Sequence, residues 1–190
     1  MSSEIRLEFG LHLGQRPRAG VVQREEGAAV KRNIELVPAR EEDLEVLTGI
    51  CIRAFHTDVK CGAPEMGGPP GYDDVAYQRR ALEKVDYLTI RVDSTIVGGF
   101  LVLKDAPDEF YLSQLFLDPS CHRQGVGRRA MELMFERYPQ ARVWRTDTPA
   151  WNTRTRPFYL RLGFEIDREE EGLLHFERVG NGLAEEMAID

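Results

Sequence analysis

A short stretch in the second half of the chain combines residue types that bind phosphate. Residues 115–128 read LFLDPSCHRQGVGR, an apolar run that is followed by a proline turn and then by glycines and arginines. Where such a turn starts a helix, the first backbone N–H groups have no partner within the helix and carry partial positive charge, so an anion can bind them. Gly125 and Gly127 let an anion approach the main chain closely, and Arg123 and Arg128 add cationic donors.

The same glycines fit a second interpretation, which is dinucleotide binding. Gly125, Gly127 and Ala130 match the pattern G-x-G-x-x-G/A, and Asp147 follows about 20 residues later, where a ribose-binding acid is expected. In that fold the glycines follow the strand almost at once, whereas residues 118–124 intervene here. Too little sequence then remains to complete a doubly wound sheet, so the spacing disfavours nicotinamide binding. These residues alone are also compatible with a glycine turn that binds no phosphate and whose arginines are simply solvated.

The stretch resembles motif A of the GNAT superfamily of acyl-CoA N-acyltransferases, which is a strand, a V-x-P-like turn and then Q/R-x-x-G-x-G/A. The matching positions are Leu117, Pro119, Gly125 and Gly127. One position departs from the motif, because His122 stands where the family usually has Gln or Arg. This departure removes a strong side-chain donor but leaves the main-chain N–H groups in place.

A second resemblance lies downstream, where residues 152–164 read NTRTRPFYLRLGF. This is similar to the family's N-x-x-A-x-x-F-Y-x-x-x-G-F, with Thr155 in place of the alanine. The two motifs in the right order form a strong joint signal. The resemblance covers roughly residues 33–179 and implies an acetyltransferase domain there, between an N-terminal extension of uncertain structure (1–32) and a C-terminal tail (180–190).

The resemblance implies that the protein transfers an acetyl group from acetyl-CoA, its co-substrate, to a primary amine by direct attack in a ternary complex. In the family, the strand before the phosphate loop leaves main-chain groups free for the pantetheine arm and the acyl carbonyl. The residues implied to bind the co-substrate are Leu115, Phe116, Leu117, Arg123, Gln124, Gly125, Val126, Gly127, Arg128, Asn152 and Tyr159.

Two residues are the candidates for proton transfer. The resemblance places the Tyr159 hydroxyl opposite the sulfur, where a phenol with a pKa near 10 can protonate the departing thiolate. Asp147 is the first choice for the base that deprotonates the amine, although capping of a turn at residues 147–149 explains it equally well. Glu109 and His56 are the reserve candidates for the base.

By analogy with the family, the amine should bind between the loop 61–72 and the hairpin 167–173. Acidic residues flank this region: Asp73, Asp74, Asp105, Asp108, Glu109 and residues 169–171. They would favour a cationic amine. A small-molecule amine is favoured slightly over a peptide amine, and a non-catalytic module that senses acyl-CoA is the alternative from another class.

Composition excludes several other classes of protein. The net charge of −7 argues against binding of nucleic acid backbones, which attract basic proteins. No apolar run is long enough for a membrane span and no secretion signal is present, so we expect a cytoplasmic protein that does not bind membranes. Cys51, Cys61 and Cys121 lack metal-ligand spacing, as do His122 and His175, so we expect reduced thiols and no metal.

The periodicity of apolar residues predicts the order of elements β-α-α-β-β-β-α-β-α-β-β. This order is similar to that of the GNAT fold, and the resemblance implies an α/β (α+β) domain with a mixed, mostly antiparallel sheet of six to seven strands flanked by four helices. The predicted helices are 41–55, 73–83, 125–137 and 153–162, and the predicted strands are 33–37, three within 87–117, 142–147, 164–167 and 173–178. Exposed edge strands could pair two copies, which would give a homodimer.

Overall fold

The computed structural model describes residues 32–180 of the chain. Except for residues 32 and 180, the expected N-terminal extension and C-terminal tail lie outside this part, so their boundaries stay predictions. The helices and strands in chain order are β1 Ile34–Pro38, α1 Leu44–His56, α2 Val75–Leu82, β2 Asp86–Val92, β3 Thr95–Ala106, β4 Glu109–Leu117, α3 Val126–Arg137, β5 Val143–Pro149, α4 Thr155–Arg161, β6 Glu165–Glu170 and β7 Leu173–Val179.

The seven strands form one sheet in the order β1-β2-β3-β4-β5-β7-β6. All neighbours are antiparallel except β4 and β5, which are parallel. The predicted fold class and the predicted order of elements are therefore confirmed. Within residues 32–180, no helix is both long and apolar enough to cross a membrane.

Local hydrogen bonds explain where the helices begin. The predicted helix at 41 opens with a 3₁₀ turn, Glu41–Asp43, before α1 starts. Asp74 caps α2, because its side chain accepts a hydrogen bond from the Ala76 N–H at 2.7 Å. The helix predicted from residue 153 starts two residues later, because the Asn152 side chain accepts bonds from the N–H groups of Arg154 and Thr155.

Apolar side chains cover both faces of the sheet. On one face, α3 and α4 pack over a core whose largest fully buried side chains are Phe100, Phe110, Trp144, Phe164 and Phe176. On the other face, α1 and α2 enclose a smaller core that includes Leu44, Leu47, Ile50, Cys51, Tyr87, Leu101 and Phe116. The face under α3 and α4 is called the helix-3 face below, and the opposite one the helix-1 face.

A β-bulge in β4 changes which face its side chains meet. Residues 101 and 102 of β3 pair with Gln114 and Leu112, so Ser113 is an extra residue in β4. Before the bulge Leu112 packs into the core of the helix-3 face, and after it Phe116 packs into that of the helix-1 face. The last part of β4 is thereby turned relative to the first.

The parallel pairing of β4 with β5 is short. It joins only Glu109, Phe110 and Tyr111 to residues 143–145. One step further, the Thr146 hydroxyl donates a hydrogen bond to the carbonyl oxygen of Leu112 at 2.9 Å. Within the described part of the chain, the rest of β4 (112–117) has no strand partner on this side, and the opening between it and residues 146–149 of β5 is called the seam below.

Candidate active site at the seam

The turn after β4 presents free backbone donors at the start of α3. Gly125 caps the helix with φ at +79°, a left-handed conformation that favours glycine. The first intrahelical bond runs from the Arg129 N–H to the Gly125 carbonyl at 3.0 Å. Among residues 32–180, no acceptor bonds the N–H groups of Val126, Gly127 or Arg128. These donors and the helix dipole make the turn an anion site.

Gly127 serves a different purpose from Gly125. A Cβ at this position would lie 3.5 Å from the Phe158 ring and 4.0 Å from Leu117 Cδ2. The first turn of α3 therefore lies directly against α4 and the end of β4. A Cβ at Gly125 would meet no atom within 4 Å, so its φ angle, and not lack of space, favours glycine there.

Hydrogen bonds hold the turn in place. Asp118 accepts bonds from the Ser120 N–H at 3.0 Å and from Arg53 of α1 at 2.7 Å. Burial opposes ionisation of Asp118, but the bonds from Ser120 and Arg53 outweigh it and lower its pKa to about 2. Gln124 donates to the Ser120 carbonyl and accepts from Arg32. The side chain of Gln124, which was predicted to bind the co-substrate, is therefore bonded to the turn itself and to Arg32.

The cationic side chains near the turn are exposed. Arg128 pairs with Glu132 at 3.0 Å, and Arg129 pairs with Glu132 at 3.3 Å and with Glu136 at 3.0 Å. Arg123 has a φ of +59°, which is uncommon for a residue with a side chain. Exposed ion pairs of this kind exchange partners at little energetic cost, so these guanidinium groups can reorient to bind an anion at the turn.

His122 bonds to the end of β4. Its Nε2 lies 2.8 Å from the carbonyl oxygen of Leu117. Burial lowers the pKa of His122, and the bond to Leu117 opposes the shift. The Leu117 carbonyl, which was expected to be among the free main-chain groups, therefore already has a partner.

Tyr159 lies in the core of the helix-3 face beside the seam. Its ring packs against those of Phe164 and Phe176, with centroids 5.3 and 5.5 Å away. The Thr146 side chain, which borders the seam, lies close enough to the hydroxyl to affect its pKa. Burial raises the pKa of Tyr159 to about 12, and the Thr146 side chain opposes the shift. The phenol is therefore protonated at neutral pH.

Asn152 is buried and caps the N-terminal end of α4 through its side-chain oxygen. Next to it, Arg154 forms an ion pair with Asp58 from the segment after α1. Burial raises the pKa of Asp58, and the charge of Arg154 opposes the shift. The Thr153 N–H also donates to the Cys61 carbonyl at 3.0 Å. The start of α4 is thus joined to the loop between α1 and α2.

Asp147 lies on the helix-1 face of β5. One carboxylate oxygen is 2.7 Å from Nδ1 of His175, which is the residue directly opposite it in β7. The other oxygen accepts a hydrogen bond from the Tyr111 hydroxyl at 2.9 Å. Asp147 is a strand residue whose oxygens are bonded across the sheet, so the turn-capping alternative is wrong.

These groups border a cavity of about 180 Å³. Seven of the eight residues that line it have polar side chains; the lining consists of Tyr111, Arg145, Asp147, Asp167, Arg168, His175, Phe176 and Glu177. Thr146 and Asp147 are consecutive residues of β5, and consecutive strand residues point to opposite faces. The cavity and Tyr159 therefore lie on opposite faces of the sheet at the start of the seam.

The two reserve candidates for the base contact other side chains. Glu109 is 2.6 Å from Arg145, which also bonds Glu177 at 2.9 Å. His56 contacts the Tyr72 hydroxyl at 3.1 Å.

Acidic residues were expected to surround the amine site, but those of the β3–β4 turn lie at the opposite end of the sheet from the β6–β7 turn. The Asp108 carbonyl accepts from the Arg142 N–H at the start of β5. The Gly172 carbonyl of the β6–β7 turn accepts from the Ala150 N–H beyond the end of that strand. The acids of the two turns are thus separated by the length of β5.

Comparison with known proteins agrees with this architecture. The model of the acetyltransferase (GNAT) family matches residues 53–164, which is more than half of the chain. The uncharacterized protein YrkN of Bacillus subtilis (strain 168) is 28% identical over 131 residues, which cover 67% of this chain and 71% of that protein.

Solved structures share the fold at low sequence identity. The PaiA N-acetyltransferase of Thermoplasma acidophilum, in complex with coenzyme A, superposes with a TM-score of 0.65 at 17% identity, covering 78% of this chain and 99% of the other. An acetyltransferase from Thermus thermophilus gives 0.63 at 19% identity, covering 78% and 97%. From the family match and the shared fold, we conclude that this chain belongs to the GNAT family of N-acetyltransferases.

Proposed function

We propose that this protein transfers the acetyl group of acetyl-CoA to the primary amine of a small molecule, by direct attack in a ternary complex. The observation that carries the proposal is the set of free N–H groups at Val126, Gly127 and Arg128 beside the open seam. An anion site at one end of a strand whose outer edge is free suits a ligand that joins a diphosphate to an extended, amide-containing arm.

The donor would bind from the helix-3 face. Its diphosphate would accept bonds from the amides at the start of α3, with Arg123, Gln124 and Arg128 at the rim. Its arm would run along Leu115, Phe116 and Leu117, whose outer edge has no strand partner within residues 32–180. Asn152, which is buried at the start of α4, would border the arm.

Tyr159 would act as the general acid. A phenol with a pKa of about 12 keeps its proton until the thiolate leaves, and its buried position excludes water that could compete. Asp147, on the other face of β5, lies on the side from which the amine would arrive.

Two features support a small acceptor with positive charge. A cavity of about 180 Å³ accommodates a small amine better than a folded protein segment. Its lining carries the carboxylates of Asp147, Asp167 and Glu177 against the guanidinium groups of Arg145 and Arg168. The excess of negative charge favours an ammonium group.

Calorimetry with coenzyme A and with pantetheine, which lacks the diphosphate, tests the donor site. We expect pantetheine to bind at least roughly 10²-fold more weakly, because it cannot use the charge-assisted bonds at the start of α3. Equal affinity of the two ligands, or no heat with coenzyme A, would contradict the proposed donor site.

A thiol-release screen with acetyl-CoA tests the reaction itself. Polyamines, amino acids, aminoglycosides and short peptides serve as acceptors. Release with small amines supports the proposal, whereas release with peptides alone assigns a peptide acceptor. Binding of acetyl-CoA without release for any amine would identify a sensor instead.

A further inference from the structure

We infer that His175 is the general base that takes the proton from the acceptor amine, and that Asp147 is the positioning residue that orients it. This inference rests on the proposed acetyl transfer and names the base of that reaction. His175 thus replaces Asp147 as the proposed base, and the contacts of the two side chains across β5 and β7 support this assignment.

The contact with Asp147 defines the protonation of the imidazole ring. His175 Nδ1 lies 2.7 Å from a carboxylate oxygen of Asp147, and because a carboxylate can only accept a hydrogen, this contact favours the tautomer with the hydrogen on Nδ1. Nε2 is then the nitrogen with a free lone pair. Among residues 32–180 the one close polar contact of the His175 ring is that of Nδ1 with Asp147, and His175 borders the cavity. A neutral imidazole held in this way can accept a proton from an amine.

Asp147 is less suited to accept that proton itself. One of its oxygens lies 2.7 Å from His175 Nδ1, and the other accepts a hydrogen bond from the Tyr111 hydroxyl at 2.9 Å. A carboxylate with both oxygens bonded holds the ring in one orientation and stabilises the imidazolium once it forms.

The other charged groups around His175 are paired among themselves. From β5, Arg145 bonds Glu109 and Glu177, which belong to β4 and to β7 itself. From β6, Arg168 bonds Asp167 at 2.6 Å and Glu170 at 3.1 Å. Because these guanidinium groups are neutralised, Asp147 is the charge in direct contact with the ring.

The strand geometry connects this base with the proposed acid. The Thr146 side chain lies near the Tyr159 hydroxyl on the helix-3 face, and the next residue, Asp147, contacts His175 on the helix-1 face. An amine in the cavity thus reaches the seam from the face opposite Tyr159. The base and the acid are separated by the thickness of one strand.

The proton balance of the reaction is complete with these residues. His175 Nε2 accepts one proton from the ammonium group, which frees the nitrogen lone pair to form the C–N bond as the C–S bond breaks. Tyr159 donates its proton to the departing thiolate and recovers one from the second N–H of the attacking nitrogen. The net products are the N-acetylated amine, free thiol and one proton, which His175 releases to water.

The first test is NMR of the imidazole nitrogens in the full-length protein without substrates. We expect the wild type to show His175 with its hydrogen on Nδ1, and Asp147→Asn to lose this preference. Asp86→Asn is the matched control, because Asp86 accepts a bond from the Tyr138 hydroxyl at 2.9 Å just as Asp147 does from Tyr111. A hydrogen on Nε2 in the wild type would overturn the inference.

The second test measures thiol release with an amine found active in the screen. We expect His175→Gln to lower kcat by about 10² to 10⁴ and Asp147→Asn by about tenfold or more, with the affinity for acetyl-CoA within about twofold of wild type. Wild-type turnover in His175→Gln would overturn the assignment of the base while the proposed acetyl transfer stands. If the wild type releases no thiol with any amine, the proposed function and this inference both fail.

Discussion

At the scale of single residues, the surroundings of Tyr159 determine what its hydroxyl can do. Aromatic rings enclose it, and burial raises its pKa to about 12. Such a phenol keeps its proton at neutral pH, so the proton is in place to be donated when the C–S bond breaks.

Tyr159→Phe should lower turnover by about 10² to 10⁴ and leave the affinity for acetyl-CoA nearly unchanged, because only the proton donor is removed. Thiol release and calorimetry measure the two effects. Tyr138→Phe is the matched control, since Tyr138 is also a buried tyrosine with a pKa raised to about 12 by burial and by Asp86. Unchanged turnover of Tyr159→Phe would remove its role as acid.

The sequence motifs were sufficient to predict where Tyr159 and Gly125 lie, because motif positions map onto local structure. The pairing of His175 with Asp147 could not be predicted in this way. It depends on the register of β5 against β7, and a shift by one residue would place His175 on the opposite face. His175 therefore looked like an ordinary strand residue in the sequence.

At the scale of elements, consecutive glycines let β3 pass close to the turned end of β4. A Cβ at Gly98 would lie 2.3 Å from the Phe116 carbonyl oxygen, and a Cβ at Gly99 would lie 2.8 Å from the Phe116 ring. The part of β4 that borders the seam is therefore fixed by the absence of side chains on its neighbour.

Gly98→Ala should destabilise the fold by roughly 1–3 kcal/mol, because the methyl group forces β4 away from β3. Since the displaced residues border the seam, the affinity for coenzyme A should fall as well. Urea unfolding and calorimetry measure the two changes. Gly67→Ala is the control, because a Cβ there meets no atom within 4 Å. Equal stability of the two variants would show that β4 adapts freely.

Periodicity predicted every described strand and helix within a few residues, because alternation and amphipathic spacing are local properties. The bulge at Ser113 was not predicted. Nothing in the local pattern shows it, since the exchange of faces between Leu112 and Phe116 becomes visible only when both cores are present.

At the scale of the whole molecule, several weak acids are buried in their neutral forms. Burial raises the pKa of Cys51 to about 12 from an ordinary value of 9.0, and it also raises that of Tyr159 to about 12. Burial raises the pKa of Tyr87 and Tyr111 in the same direction. The unfolded chain therefore loses these protons at lower pH than the folded protein does.

The sign of this difference predicts alkaline unfolding. The contribution of these groups to stability is fully present below about pH 9 and is lost as the pH rises towards 12. Urea unfolding between pH 7 and pH 11 should show a midpoint that is flat at first and then falls. In Cys51→Ala the midpoint should begin to fall only at a higher pH, close to the ordinary tyrosine pKa near 10. A midpoint that rises above pH 9 would contradict the prediction.

Thr146 and Asp147, neighbours in one strand, point to opposite sides of the sheet, and this has a kinetic consequence. Donor and acceptor would enter by separate routes, so neither would have to wait for the other to depart. A dead-end amine analogue should then inhibit without competing against the thioester. A single compound that joins the donor to the acceptor would have to pass through the seam, and it should bind far more tightly than either part alone.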